Sequence, residues 1–139
     1  MSIAPTTKRS LPSNQPPLRD AQPVRVLVVD DEVFMLSLVG RMLRALGFEV
    51  VLAKSGFEAM TCLSRSSFQM VITDLQMPKM NGHTLAGWIK HHFKGMNVII
   101  MTGNTPASVA GYAKTGIVDQ WIFKPFGLDE LKTMLNGFA

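Results

Sequence analysis

Residues 24–47 read VRVLVVDDEVFMLSLVGRMLRALG, and the order of residue types along them decides the architecture. The first six residues are mostly β-branched and apolar, as in a strand covered on both faces. Three acids follow: Asp30, Asp31 and Glu32. The period then changes. Phe34, Leu38, Met42 and Leu46 recur at helical spacing, Arg41 and Arg44 fall off that stripe, and Gly47 supplies a helix C-cap. A strand that runs through acids into a helix is the first half of a βαβ unit.

Working outward from this unit, the pattern repeats. FEVVLA reads as a strand and SGFEAMTCLSRS as a helix opened by Ser55. FQMVIT is a strand and HTLAGWIKHHF a helix weakened by Gly87. NVIIMT is a strand, PASVAGYAKTG a short helix with Pro106 near its first turn, QWIF a strand and LDELKTMLNGF an amphipathic helix. Five strand–helix pairs in strict alternation predict an α/β fold with a five-stranded parallel sheet, doubly wound by helices on both faces.

Composition sets the limits. A chain of 139 residues, 47% of them hydrophobic, suits one domain with one core and is too apolar for a disordered polymer. Residues 1–23 hold five of the eight prolines and no apolar period, so a flexible Pro-rich tail is predicted there, ahead of a folded unit over 24–139. The net charge of +4 includes Lys8, Arg9 and Arg19 against Asp20 in that tail. What remains is mildly basic, without a Lys/Arg cluster interleaved with aromatics, so nucleic-acid binding is not expected. No apolar run reaches the length of a bilayer span, and no secretory signal is seen. The single cysteine, Cys62, cannot form an internal disulfide, which is compatible with the cytoplasm; its expected role is that of a small buried hydrophobe in a helix.

In an open parallel sheet, ligands sit beyond the carboxyl ends of the strands. Those ends carry Asp30, Asp31 and Glu32 after the first strand, Lys54 and Ser55 after the second, Asp74 after the third, Thr102 after the fourth, and Lys124 with Pro125 after the fifth. Crowded carboxylates repel, so one should hold a proton unless a cation joins them. Mg²⁺ suits such a rim, because it takes one or two carboxylates and keeps positions open for water and an anion. Lys124 adds a second positive charge and Thr102 a hydroxyl donor, a setting for developing charge on a tetrahedral oxyanion. The chemistry that follows is phosphoryl transfer to a carboxylate, with Asp74 as nucleophile and Asp30 and Asp31 as the metal shelf. Taken singly, each residue has a blander explanation; a lone aspartate at a strand end is more often a cap or turn former. The coincidence of four strand ends favours a site.

VLVVDDE, ITDLQMPKMNG, IIMTGN and WIFKPF, in this order and spacing, resemble the receiver domain of two-component response regulators over residues 24–138. The resemblance implies a CheY-like, flavodoxin-like (βα)5 fold of strand order 2-1-3-4-5. It implies a phosphoacceptor at Asp74, with Asp31, Asp74 and the backbone carbonyl of Gln76 as direct Mg²⁺ ligands and Asp30 acting mainly through water. Thr102 would bond the phosphoryl group and Lys124 would pair with it, the Lys124–Pro125 bond being cis. The phosphodonor would be a sensor histidine kinase or a histidine phosphotransfer protein. The chain would catalyse only its own phosphorylation and dephosphorylation. The output would be a downstream protein bound at the face made by the fourth helix, fifth strand and fifth helix, which could also serve a homodimer.

The chain departs from the family at Trp121, where Tyr or Phe is usual for the aromatic coupled to Thr102, and at Gly103, where Ala is common. Trp121 emission is therefore expected to report phosphorylation. Gln76 and Asn104 occupy positions that tune phosphate lifetime and bring no further carboxylate. His83, His91 and His92 match no compact zinc spacing and are expected to be solvated helix residues. Tyr112 and Lys114 are expected to be exposed.

Other readings are weaker. A haloacid-dehalogenase-like phosphohydrolase would use D-x-D where this chain has Asp30 and Glu32 in VVDDEVF, and no cap insertion is visible. A nucleotide-binding module would need G-x-G-x-x-G or a P-loop. A phosphorylation-silent scaffold is disfavoured because every matched acidic, hydroxyl and lysine position is filled.

Overall fold

A computed structural model describes residues 23–138; the stretch predicted as a tail lies, apart from Pro23, outside the described residues. The elements run β1 (Arg25–Val29), α1 (Val33–Ala45), β2 (Glu49–Ala53), α2 (Gly56–Arg65), β3 (Met70–Asp74), α3 (Gly82–His92), β4 (Asn97–Thr102), α4 (Ala110–Ala113), β5 (Gln120–Phe123) and α5 (Leu128–Met134). All pairings are parallel and the sheet order is β2-β1-β3-β4-β5. The doubly wound fold is therefore as the alternation of elements requires.

Successive strand residues serve opposite faces. Val26 and Val28 of β1 pack with Leu36, Val39 and Leu43 of α1 and Leu131 and Leu135 at the α5 end. Leu27 and Val29 pack with Ala59 and Leu63 of α2 and Leu85, Ala86 and Ile89 of α3. A smaller cluster of Leu75, Ile100 and Val109, flanked by Trp121 and Phe123, lies under the α4 side. Cys62 is half-buried against the second of these clusters, a partly covered hydrophobe of α2.

Two local expectations change. The buried stripe of α1 is Leu36, Val39, Gly40 and Leu43, not the row through Phe34 and Leu38. Phe34 is 77% exposed and Leu38 37%. The helix is apolar on more than one face, so periodicity alone gave two rows to choose from, and packing onto β1 and β2 selects the other one. The fourth helix is also shorter than PASVAGYAKTG suggests. It begins as one 3₁₀ turn, Ala107–Val109, and only Ala110–Ala113 is α-helical. Ser108 and Thr105 bond one another's backbone there, which competes with a regular helix, and Gly111 propagates it poorly.

The helix starts on the site side are well secured. The Ser55 hydroxyl accepts from the Glu58 N–H at 3.0 Å, and the Asn81 side chain accepts from the Thr84 N–H at 2.8 Å. Gly47 takes φ +97° just past α1, where a side chain would be strained.

The revised α1 face gives a direct stability test. Leu43→Ala is expected to lower the unfolding free energy by about 2–5 kcal/mol, whereas Phe34→Ala should change it by no more than about 0.5 kcal/mol. Urea unfolding of both variants checks this, and a larger loss at Phe34 would contradict the packing.

Candidate functional site

The sheet order reverses beside β1. The chain leaves β1 for β2 on one side and returns to β3 on the other, so the carboxyl ends of β1 and β3 flank a topological switch point. Register runs Val29↔Thr73, which sets Asp30 and Asp74 one step further along neighbouring strands. Asp74 also lies opposite Met101, and Thr102 lies opposite Phe123, immediately before Lys124.

These residues meet. The Lys124 ammonium donates to Asp74 Oδ1 at 2.9 Å and lies 3.8 Å from Asp30 Oδ2. Carboxylate oxygens of Asp30, Asp31 and Asp74 all fall within 4.8 Å of one another. Asp30 is fully buried, Asp74 nearly so at 8% exposed, and Asp31 exposed. Asp30 Oδ1 accepts the Glu32 N–H at 2.9 Å, while its Oδ2 is buried without a hydrogen-bond partner among the described residues. Two of these carboxylates, Asp30 and Asp74, thus share one ammonium, with the exposed Asp31 beside them. Burial is the main cause that pushes the Asp30 carboxyl up to about 6, with the Glu32 N–H opposing and the Asp74 charge adding to the rise. Burial also raises Asp74, against the pull of Lys124.

The remaining candidates take the following places. Thr102 is 2% exposed; its hydroxyl accepts from the Asn104 N–H at 3.0 Å and its carbonyl accepts from the Lys124 N–H at 2.7 Å. That second bond ties the lysine strand to the threonine strand. The Lys124–Pro125 peptide is cis. Trp121 is half-buried beside the Leu75–Ile100–Val109 cluster. The Gln76 side chain is exposed, and bonds within the loop engage the carbonyls of its neighbours, Leu75 by Gly82 N–H and Pro78 by Met80 N–H. His91 and His92 are exposed. His83 is not a free solvated residue: it is half-buried, its Nε2 lies 3.0 Å from the Thr115 hydroxyl, and its ring packs on Tyr112 at 4.7 Å between centroids.

The glycine of ITDLQMPKMNG, read from the sequence as letting the chain turn into the next helix, matters less for turning than for closeness, since a Cβ on Gly82 would stand 2.2 Å from the Asp74 carbonyl oxygen. The residue with left-handed backbone is Lys79, at φ +72°. One contributor, Thr73, escaped the sequence reading. Thr73, fully buried, donates its hydroxyl to the Asp74 carbonyl at 3.0 Å. A lone hydroxyl in an otherwise apolar strand was the available signal.

Comparison with known proteins agrees with the geometry. A family model described as "Response regulator receiver domain" matches residues 26–136. The chain is 38% identical over 112 residues to the transcriptional regulatory protein GlrR of Escherichia coli K12, covering 79% of this chain and 25% of GlrR. It therefore spans about a quarter of that relative. Among solved structures, the chemotaxis protein CheY4 of Vibrio cholerae superposes with a TM-score of 0.79 at 26% identity, covering 85% of this chain and all of CheY4. The response regulator TrrA of Thermotoga maritima, solved in complex with Mg²⁺-BeF, superposes with a TM-score of 0.76 at 29% identity, covering 84% of this chain and 99% of TrrA. Among the described residues no helix is long and apolar enough to cross a membrane.

The raised Asp30 value has a stability consequence. A carboxyl that holds its proton more tightly when folded stabilises the fold fully below its ordinary value of 3.8, and that stabilisation is lost as pH rises through about 6. Asp30→Asn retains the acceptor for Glu32 while removing the charge. Without divalent cations, this variant is expected to melt higher than the parent near pH 7.5, by up to about 3 kcal/mol, and nearly equally near pH 4. Thermal melts at both pH values check this; a variant less stable near pH 7.5 would contradict it.

Proposed function

The chain belongs to the response regulator receiver domain family, and we propose that it is a phosphorylation-controlled switch whose phosphoacceptor is Asp74. Receiver domains are signalling modules rather than turnover enzymes. The single observation that carries this reading is the part-buried Asp74–Lys124 pair at 2.9 Å, set among two further carboxylates. A structural ion pair would bring one acid to one base. Here an excess of acid, with Asp30 and Asp74 both buried, is held next to one lysine at neighbouring strand ends.

In the reaction, a carboxylate oxygen of Asp74 attacks the phosphorus of a phosphohistidine. The P–O bond forms as the P–N bond breaks, and the departing imidazole keeps the electron pair and takes up a proton. Lys124, already at Asp74, pairs with the phosphoryl oxygens, and the Thr102 hydroxyl turns from accepting the Asn104 N–H to donating to the new group. The acyl phosphate is later hydrolysed to restore the carboxylate.

The donor set fits Mg²⁺: all-oxygen, with carboxylates close enough to share one ion and one buried oxygen, Asp30 Oδ2, lacking a hydrogen-bond partner among the described residues. Asp31, Asp74 and the Gln76 carbonyl would hold the ion directly, and Asp30 through water. When bound, Mg²⁺ neutralises the carboxylates and the incoming phosphoryl oxygens.

The added charge of about −1.5 to −2 would draw on Thr102 and, through the bond from Lys124 N–H to the Thr102 carbonyl, on β5 and Trp121. The α4–β5–α5 face then changes partner, whether a downstream protein or a second copy. The phosphodonor is a sensor histidine kinase or phosphotransfer protein in the cytoplasm. Residues 24–139 act as the receiver.

Incubation with Mg²⁺ and a small phosphodonor such as a phosphoramidate, read by intact mass, is expected to give one phosphoryl adduct that Asp74→Asn loses. In a Trp88→Phe background, which leaves Trp121 as sole reporter, emission should change on phosphorylation. Continuous release of phosphate from an ester substrate, with no adduct, would overturn the proposal.

A further inference from the structure

The register between β1 and β3 ends at Val29↔Thr73. Beyond it the Asp74 peptide has no next ladder position on β1, yet its carbonyl is enclosed. Gly82 is packed against that carbonyl so tightly that a Cβ would meet it at 2.2 Å. On the sheet side the acceptor is met by the hydroxyl of Thr73, at 3.0 Å, from a side chain with no solvent exposure. A buried carbonyl left without a donor is costly, and so is a buried hydroxyl. Each here satisfies the other.

The same peptide governs the site. The Asp74 carbonyl belongs to the Asp74–Leu75 unit. Its rotation sets both the direction in which the Asp74 carboxylate leaves β3 and the start of the segment Leu75–Gln76. Leu75 is held on both sides, its N–H by the Met101 carbonyl and its carbonyl by the Gly82 N–H at 2.7 Å. The Thr73 bond is therefore the remaining fixed point of that peptide plane.

We propose that Thr73 is a positioning residue: its buried hydroxyl fixes the Asp74–Leu75 peptide so that the Asp74 carboxylate and the Gln76 carbonyl address one divalent cation. This rests on the reading of the rim as a Mg²⁺ site. Thr73 touches neither cation nor phosphoryl group. It acts through the Asp74 backbone as outer hydrogen-bond partners act on metal ligands elsewhere.

The test uses the full chain and Mg²⁺ alone, titrated by calorimetry near neutral pH, with metal-free melts alongside. Thr73→Val keeps the shape and removes the hydroxyl; Thr73→Ser keeps the hydroxyl and removes a methyl. Thr73→Val is expected to weaken Mg²⁺ affinity about 10- to 100-fold, while Thr73→Ser stays within about threefold of the parent although it loses a buried methyl and melts lower. Should Thr73→Val not fold, Thr73→Ala against Thr73→Ser gives the same comparison. Parent-like affinity in the variant lacking the hydroxyl, or equal weakening in Thr73→Ser, overturns this assignment alone. A parent that takes up no Mg²⁺ overturns the rim reading together with it.

Discussion

One constraint organises the molecule: the ends of β1 and β3 hold Asp30 and Asp74 side by side, out of water, with a single ammonium between them. Like charges at that range in a partly dry setting are unfavourable. The fold nonetheless keeps them together, since parallel pairing in the order β2-β1-β3-β4-β5 leaves no other place for those strand ends. Burial is the main cause that pushes the Asp30 carboxyl up to about 6, with the Asp74 charge adding to the rise, and it leaves the second Asp30 oxygen without a partner among the described residues. A rim of this kind is relieved by a proton on Asp30 or by positive charge from outside.

The surroundings are built to hold the conflict still. Lys124 is delivered from β5, whose next backbone bond joins it to the Thr102 carbonyl of β4. The loop after β3 is closed by Gly82 N–H on the Leu75 carbonyl, a contact that only a residue without a side chain permits. Met77 is buried in the α2–α3 cluster and pins the loop from below. The apolar layers on either face thus do more than stabilise: they remove the freedom by which the three carboxylates could separate.

Most of this was legible in the letters. Alternation of β-branched runs with helical periods fixed the fold class, and the acid, hydroxyl and lysine at successive strand ends marked the rim. What escaped depends on contact between faces. Periodicity in α1 offered two apolar rows, and only packing against β1 and β2 distinguishes Leu36, Val39 and Leu43 from Phe34 and Leu38. His83 reads as a solvated helix residue until α4 and the turn after it bring Tyr112 and Thr115 to it. Gly82 suggests a turn, whereas distance to the Asp74 carbonyl is what excludes a side chain. Spacing along a chain reports which residues share a face, but not what lies opposite.

The most direct measurement is the crystal structure of the chain grown with Mg²⁺ and beryllofluoride. The expected result is beryllium bonded to an Asp74 carboxylate oxygen, the ion seated among Asp30, Asp31, Asp74 and the Gln76 carbonyl, and the Lys124 ammonium and Thr102 hydroxyl on the fluorides. A bare Asp74 carboxylate still paired to Lys124, with beryllofluoride and Mg²⁺ bound elsewhere or not at all, would contradict the assignment of this rim as a cation-held phosphoacceptor site.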